Sequence, residues 1–202
     1  MDANKKAMLR NIRQALVVTL VLLLLCGFVF PVLLSGLSGL LFPHQAGGSL
    51  VTADGKAVGA KLVGQEFTEA YFMKGRPSSE FAGLGSGSNN YAPSNPALTQ
   101  RVEADIEAFL AENPGVARED IPADLMTASG SGLDPHISPA AAQVQLPAIA
   151  EASGLSPERL AQIVADNTEE KLLGVFGEET VNVLGVNLDI ALAMGLISET
   201  EK

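Results

Sequence analysis

One stretch of the sequence, Thr127–Ser138, concentrates the residue types that serine hydrolases use. Before Ser138, which ends the stretch, it contains two serines, an aspartate and a histidine, which are Ser129, Ser131, Asp134 and His136. In such an enzyme the histidine takes a proton from the serine hydroxyl while the aspartate orients the imidazole, so the three side chains must meet in space. The local order Ala-Ser-Gly-Ser-Gly lacks the Gly-x-Ser-x-Gly turn that presents such a nucleophile between a strand and a helix. An anchored or secreted hydrolase using Ser129 or Ser131 with His136 is one hypothesis for this chain.

The same stretch also fits a contact loop. Its glycines favour a tight turn, and Ser138 followed by Pro139 is typical of the start of a helix. An exposed turn rich in serine suits contact with another protein, which is a second hypothesis. A third is a free-standing solute-binding domain, whose soluble part would bind a ligand alone.

The sequence predicts no metal site. Its two histidines, His44 and His136, are far apart, and neither has metal-ligand spacing to a cysteine or a carboxylate pair. The one cysteine, Cys26, lies inside an apolar run and behaves there as a small apolar side chain.

A membrane span is predicted near the N-terminus. Ala15–Leu34 has twenty residues without a charge, which is the length that a helix needs to cross a bilayer. The core of a cleavable signal peptide is shorter, at about 7–15 residues, so an uncleaved span is preferred. Four cations precede the span, and cationic flanks stay in the cytoplasm. We therefore expect residues 1–14 in the cytoplasm, a transmembrane helix over 15–40 and a soluble extracytoplasmic domain over 41–202.

The predicted domain is strongly acidic. After Leu50 there are nine Lys and Arg against 22 Asp and Glu, a net charge of −13. Such a domain has no basic surface for nucleic acid. It would also not bind anionic lipid through surface charge.

The patterning of the domain predicts an α+β fold with a small sheet and three to four helices. Asp54-Gly55 marks a hairpin. Helices are expected after three capping positions, at Ser94 or Asn95, at Ser138 and at Ser156. Val181–Leu184 reads as a strand, and Asn187–Leu196 as a short terminal helix.

A long loop is expected between the hairpin and the first of these helices. Ser79–Pro96 is rich in Gly, Ser, Asn and Pro, which excludes a helix or a central strand. Its Gly83–Ser88 part lacks the Lys-Ser/Thr ending of a phosphate-binding loop. A surface loop of this length suits partner contact.

Six segments together resemble the KdpC family, the small single-span subunit of the Kdp potassium-transporting P-type ATPase. The resemblance spans nearly the whole chain, and its most specific block is Thr127–Pro139. The matching segments are Phe42–Leu50, Leu62–Phe67, Tyr71–Ser78, Ala92–Pro96, Met126–Gln145 and Gly177–Leu188.

The resemblance implies a non-catalytic subunit of a high-affinity potassium importer in the bacterial inner membrane. Its implied partners are a channel-like potassium-binding subunit, an ATP-hydrolysing P-type subunit and a very small membrane subunit. It also implies that the chain stabilises this assembly and assists ATP binding by the catalytic subunit, with Gln145 matching a glutamine linked to nucleotide. Candidate partner-contact residues are Ser129, Ser131, Asp134, His136, Asn95 and Arg76.

Two observations bear on the implied ATP contact. Where the family often has a basic stretch after the glutamine, this chain reads LPAIAEAS, which removes cations that would pair with phosphate. The charge asymmetry also places the domain outside the cell, whereas ATP is cytoplasmic.

Overall fold

The structure, a computed structural model, describes residues 3–78 and 85–201. The chain divides into two compact units, one up to Ser49 and the other from Leu50 onward. The first unit is almost entirely helical, and the second mixes helices with short strands. The predicted α+β fold behind an N-terminal apolar helix is confirmed. The predicted boundaries at 14 and 40, which refer to the sides of a membrane, stay predictions.

The N-terminal unit consists of one long helical run. Helix α1 (Ala3–Leu24) continues through a π-helical turn (Leu25–Val29) into α2 (Phe30–Leu41), and a single turn α3 (Pro43–Ala46) follows. The π-helical turn immediately precedes the turn that holds Pro31, which has no N–H to donate to the preceding carbonyls. Asn4–Leu41 is long and apolar enough to cross a membrane, with a mean hydropathy of 2.9 in its most apolar part.

The second unit begins with the predicted hairpin. Strand β1 (Leu50–Ala53) pairs antiparallel with β2 (Lys56–Ala60), and the last strand, β6 (Thr200–Glu201), pairs with the other edge of β1. The turn residues Asp54 and Gly55 have φ of 49° and 73°, as a type I′ hairpin turn requires.

Three helices begin where the capping residues predict. They are α4 (Pro96–Glu112), α5 (Pro139–Ser153) and α6 (Pro157–Asp166). In each one the side-chain oxygen of the preceding residue, Asn95, Ser138 or Ser156, accepts a hydrogen bond from a first-turn N–H at 3.0–3.2 Å. Of the predicted Ser79–Pro96 loop, residues 79–84 lie outside the described part of the chain, and residues 85–92 have no regular structure.

The C-terminal part corrects the prediction. The expected strand Val181–Leu184 is strand β5 (Thr180–Asn182), and helix α7 (Val183–Ala193) begins four residues earlier than expected. Asn182 starts this helix, because its Oδ1 accepts a hydrogen bond from the Gly185 N–H at 2.9 Å. Strand β5 lies between β3 (His136–Ile137) and β4 (Thr168–Glu169) in a second antiparallel sheet.

The start of helix α7 was predicted four residues too late because the helix packs into two hydrophobic clusters at once. Val183, Val186 and Ile190 belong to the main core with α4, α5 and α6. Leu184 and Leu188 pack against Val51 and Ala53 of the first sheet. A helix that is buried on opposite faces has no polar stripe, so its sequence lacks the amphipathic period that predicts a helix.

Candidate functional site

The Thr127–Pro139 block connects a 3₁₀ turn (Ala123–Leu125) to helix α5. Its C-terminal end is fixed by Asp124, whose carboxylate accepts hydrogen bonds from the Ser138 N–H at 2.7 Å and from the Ser138 hydroxyl at 3.2 Å. Its N-terminal end is tied to helix α4, because the Arg101 guanidinium donates to the Met126 carbonyl at 2.9 Å. The sequence did not point to Arg101, because this residue belongs to no motif and only the fold brings it next to the block.

The two serines build a turn. Ser129 is buried, and its Oγ accepts a hydrogen bond from the Gly132 N–H at 2.9 Å, while the Ser131 Oγ accepts one from the Leu133 N–H at 3.1 Å. Gly132 has φ of 71°, and a Cβ there would lie 2.2 Å from the Gly87 carbonyl oxygen. The glycine is therefore required both by the backbone conformation and by the close approach of a second loop.

Asp134 and His136 form a polar chain with two residues that lie far away in the sequence. One Asp134 carboxylate oxygen pairs with the Arg76 guanidinium at 2.9 Å, and the other accepts from the His136 N–H at 3.0 Å and lies 3.7 Å from its Nδ1. The opposite ring nitrogen of His136, Nε2, lies 3.3 Å from the Asn182 amide nitrogen. Arg76 also donates to the Thr127 carbonyl at 3.2 Å.

The bonds of Asn182 fix the His136 tautomer in this chain. The Asn182 Oδ1 accepts from Gly185, and its Nδ2 donates to the Lys61 carbonyl at 2.9 Å, so the nitrogen that faces His136 is a donor. In the neutral imidazole Nε2 of His136 is therefore the acceptor, and the ring proton is on Nδ1, on the side of Asp134.

This arrangement does not favour the hydrolase hypothesis. The Ser129 and Ser131 hydroxyls lie 3.3 Å from each other, and within the described hydrogen bonds neither meets the His136 ring. The imidazole that would activate a serine hydroxyl instead lies 3.3 Å from the Asn182 amide nitrogen and 3.7 Å from an Asp134 carboxylate oxygen. The structure brings together Arg76, Asp134 and His136, and separately the two serines.

Asn95, the remaining partner-contact candidate, lies apart from that polar chain. Its side chain caps helix α4. A cleft of about 440 Å³ is lined by residues of α4, among them Leu98 and Asp105, by Thr127 and Ala128 of the block, and by residues 77–78 and 88–91. Burial raises the pKa of the Asp105 carboxyl more than the neighbouring Arg101 lowers it.

Gln145 lies in the core, and its side chain binds the backbone of Lys74, which is in a segment without regular secondary structure. It is 3% exposed, its Oε1 accepts from the Lys74 N–H at 2.8 Å, and its Nε2 donates to the carbonyls of Lys74 at 3.2 Å and Ala141 at 2.9 Å. All of its polar atoms are therefore engaged within the chain. The predicted nucleotide contact stays a prediction.

A second buried amide acts in the same way on the preceding residue. Asn187 of α7 is 1% exposed, and it accepts from the Met73 N–H at 2.7 Å and donates to the Met73 carbonyl at 2.9 Å. We call Gln145 and Asn187 together the amide clamp. Sequence reasoning missed Asn187, although an amide within the apolar run VLGVNLDIAL was a visible signal.

The clamp is reinforced by Lys74 itself. Its ammonium group donates to the carbonyls of Phe67, Thr68 and Glu69 at 2.9–3.2 Å. The clamp and this lysine therefore fix residues 67–74 without a strand or a helix. Arg76, two residues further along, is positioned by the same segment. In the described part of the chain no group of three His, Cys, Asp or Glu residues could hold a metal ion.

Taken together, the fold and the site define a class of protein with one apolar helix long enough to cross a membrane, followed by an acidic α+β domain whose candidate site residues are hydrogen-bonded to other groups of the chain. Comparison with known proteins gives the family. The family model described as KdpC, the K+-transporting ATPase c chain, matches residues 12–192. The chain therefore belongs to the KdpC family.

Curated relatives agree over almost the full length. A potassium-transporting ATPase KdpC subunit from Clostridium kluyveri is 54% identical, with 94% of this chain and 97% of the relative covered. The subunit of the same name from Clostridioides difficile is 50% identical, with 94% and 100% covered. That from Caldanaerobacter subterraneus is 48% identical, with 89% and 94% covered.

Proposed function

We propose that this chain is a non-catalytic, membrane-anchored subunit of an ATP-driven potassium importer, and that it stabilises the assembled complex. The observation that carries the proposal is the family match over residues 12–192, which includes both the apolar helix and the polar site. The site supports a non-catalytic role, because its histidine and its serines are bonded to different groups. The proposed partners are the channel-like potassium-binding subunit, the P-type ATP-hydrolysing subunit and the very small membrane subunit that the resemblance implies.

We further propose that the N-terminus is cytoplasmic and that the acidic unit faces outward. Lys5, Lys6, Arg10 and Arg13 precede the apolar run, and cationic flanks remain inside. The test uses the full chain in intact cells, with Cys26→Ala combined with Leu196→Cys, which places a thiol at an exposed position of the second unit. A membrane-impermeant maleimide should label this variant before cell lysis. Labelling only after lysis would place the unit in the cytoplasm.

We also propose that the chain assists ATP binding by the catalytic subunit. Two observations favour an indirect effect. Gln145 is buried and fully bonded within the chain, and the cations that would pair with phosphate are absent after it. A direct contact would require Gln145 to leave Lys74.

The ATP proposal is tested on the purified complex by measuring the KM for ATP of potassium-stimulated hydrolysis. A complex without this chain should have a raised KM for ATP. The same KM is measured for Gln145→Leu, which removes the buried amide, and for Gln143→Leu, a control at an exposed position of the same helix. If the KM for ATP is the same with and without the chain, the assisting role is wrong.

A further inference from the structure

The connection between strands β4 and β5 carries an exposed apolar surface that the site described above does not use. Four large apolar side chains, Leu172, Leu173, Val175 and Phe176, are 64–83% exposed. We call these four residues the apolar tip. Isolated exposed apolar residues are ordinary, but a contiguous group of this size, of the order of a few hundred Å², is typical of an interaction site.

The apolar tip is held in one shape. Leu172 and Phe176 exchange two backbone hydrogen bonds, at 2.9 and 3.0 Å, so they close a three-residue turn at the end of the β4–β5 hairpin. Below this turn a salt bridge of 2.9 Å joins Lys171 to Glu178 across the hairpin. A preformed turn loses less conformational entropy on binding than a mobile loop would lose.

Leu173 occupies the tip in spite of a local cost. Its φ is 55°, a left-handed conformation that Gly, Asn or Asp adopts far more readily than leucine. Because this side chain is 83% exposed, packing within the chain does not offset that cost. Strain of this kind is characteristic of functional positions.

The charges beside the apolar tip favour one kind of partner. Four carboxylates flank the tip, those of Glu169, Glu170, Glu178 and Glu179. Two ammonium groups pair with them, that of Lys61 with Glu169 and that of Lys171 with Glu178, so the flank keeps a net negative charge. An anionic bilayer surface would repel this flank. A second copy of the chain would bring an identical acidic flank against it. A protein surface with an apolar pocket and a basic rim complements both the tip and the flank.

We propose that the apolar tip inserts into an apolar pocket with a basic rim on another subunit of the same membrane complex, an inference that rests on the proposed membership of that complex. Only residues 42–49 separate the end of α2 from β1, so a short connection tethers the unit that carries the tip to the apolar helix.

The test is photo-crosslinking in the assembled complex. A photoreactive amino acid replaces Leu173 in the full tagged chain, and the complex is purified before and after irradiation. The proposal predicts a covalent adduct between this chain and a different subunit. An adduct only with lipid or with a second copy, or no polypeptide adduct while the subunits still co-purify, would overturn it. If the subunits do not co-purify even in the unmodified complex, the proposed function itself is wrong.

Charge reversal provides an independent measurement. Glu170→Lys combined with Glu179→Lys leaves the apolar tip intact and should lower the recovery of partner subunits, most strongly at low salt. On an anionic bilayer the same change would instead strengthen attachment, which would contradict the proposal. Leu173→Asp combined with Phe176→Asp should reduce partner recovery by about tenfold or more, as the loss of two buried anchor side chains does. Leu196→Asp, a matched exposed leucine, should leave the recovery within about twofold.

Discussion

Replacing Asn187 by leucine should release the segment around Met73. Met73 is 0% exposed, and Asn187 is the hydrogen-bond partner of both its N–H and its carbonyl. Leucine is similar in size but has no polar atom, so the substitution leaves two buried backbone groups unpaired. Each unpaired group costs about 1–3 kcal/mol, which gives a loss of about 2–6 kcal/mol. This loss is comparable with a large part of the stability of an ordinary domain, about 5–15 kcal/mol.

Hydrogen exchange of the full-length chain, followed by mass spectrometry, measures this loss where it arises. A loss of about 2 kcal/mol or more should accelerate exchange in residues 71–76 by roughly 30-fold or more, since each 1.4 kcal/mol is tenfold. Gln145→Leu should have a smaller effect, because Lys74 is only partly buried and water can replace some of its bonds. Gln143→Leu, on the exposed face of α5, should leave the exchange unchanged. If exchange in residues 71–76 is unaltered in the Asn187→Leu chain, the two amides do not hold this segment.

Three further predictions each concern a single residue. Glu169→Gln should lower stability by about 1 kcal/mol or less at pH 7. The hydrogen bond from Lys61 lowers the pKa of Glu169 below its unfolded value of about 4.5. This contribution is therefore present above the unfolded pKa and is lost as the pH falls through the folded pKa. The stabilities of the two chains in urea denaturation should converge as the pH is lowered, and a difference that stays constant with pH would contradict the assignment. Asn95→Ala should cost about 1 kcal/mol because the Ala97 N–H loses its cap, whereas Asn95→Ser should retain most of the stability in the same denaturation assay. Gly27→Leu, in the π-helical turn, should leave membrane insertion intact but lower the recovery of co-purifying subunits; unchanged recovery would make this helix a tether only.

Local signals in the sequence predicted most of the fold. The capping residues Asn95, Ser138 and Ser156 act within three residues of the helices that they start, and Asp54-Gly55 determines its own turn. Helix α7 was placed wrongly because burial on opposite faces removes the period on which a helix prediction depends.

The site was less predictable because long-range bonds assemble it. Arg76 meets Asp134 across 58 positions, and Asn187 meets Met73 across 114. A side chain that binds a backbone group so far away leaves no spacing to recognise. The stretch Thr127–Ser138 was noticed through its composition, but only the fold shows that its histidine and the pair Ser129 and Ser131 are bonded to different partners.

The apolar tip escaped sequence reasoning for a different reason. The segment Leu172–Phe176 is a short apolar run next to charged residues, and such a run usually enters a core. The structure instead leaves it exposed at the end of a hairpin.

Purification of this chain from its own membranes is the most direct test of its proposed role as a stabilising subunit of a potassium-transporting ATPase. The cells are grown under potassium limitation, and the full chain, which carries a C-terminal tag, is extracted in mild detergent. The polypeptides that co-purify with it are then identified by mass spectrometry. A P-type ATPase polypeptide and a channel-like membrane subunit should be recovered with it in fixed proportion, with potassium-stimulated ATP hydrolysis. Recovery of the chain alone, while that ATPase remains assembled and active in the membranes, would contradict it.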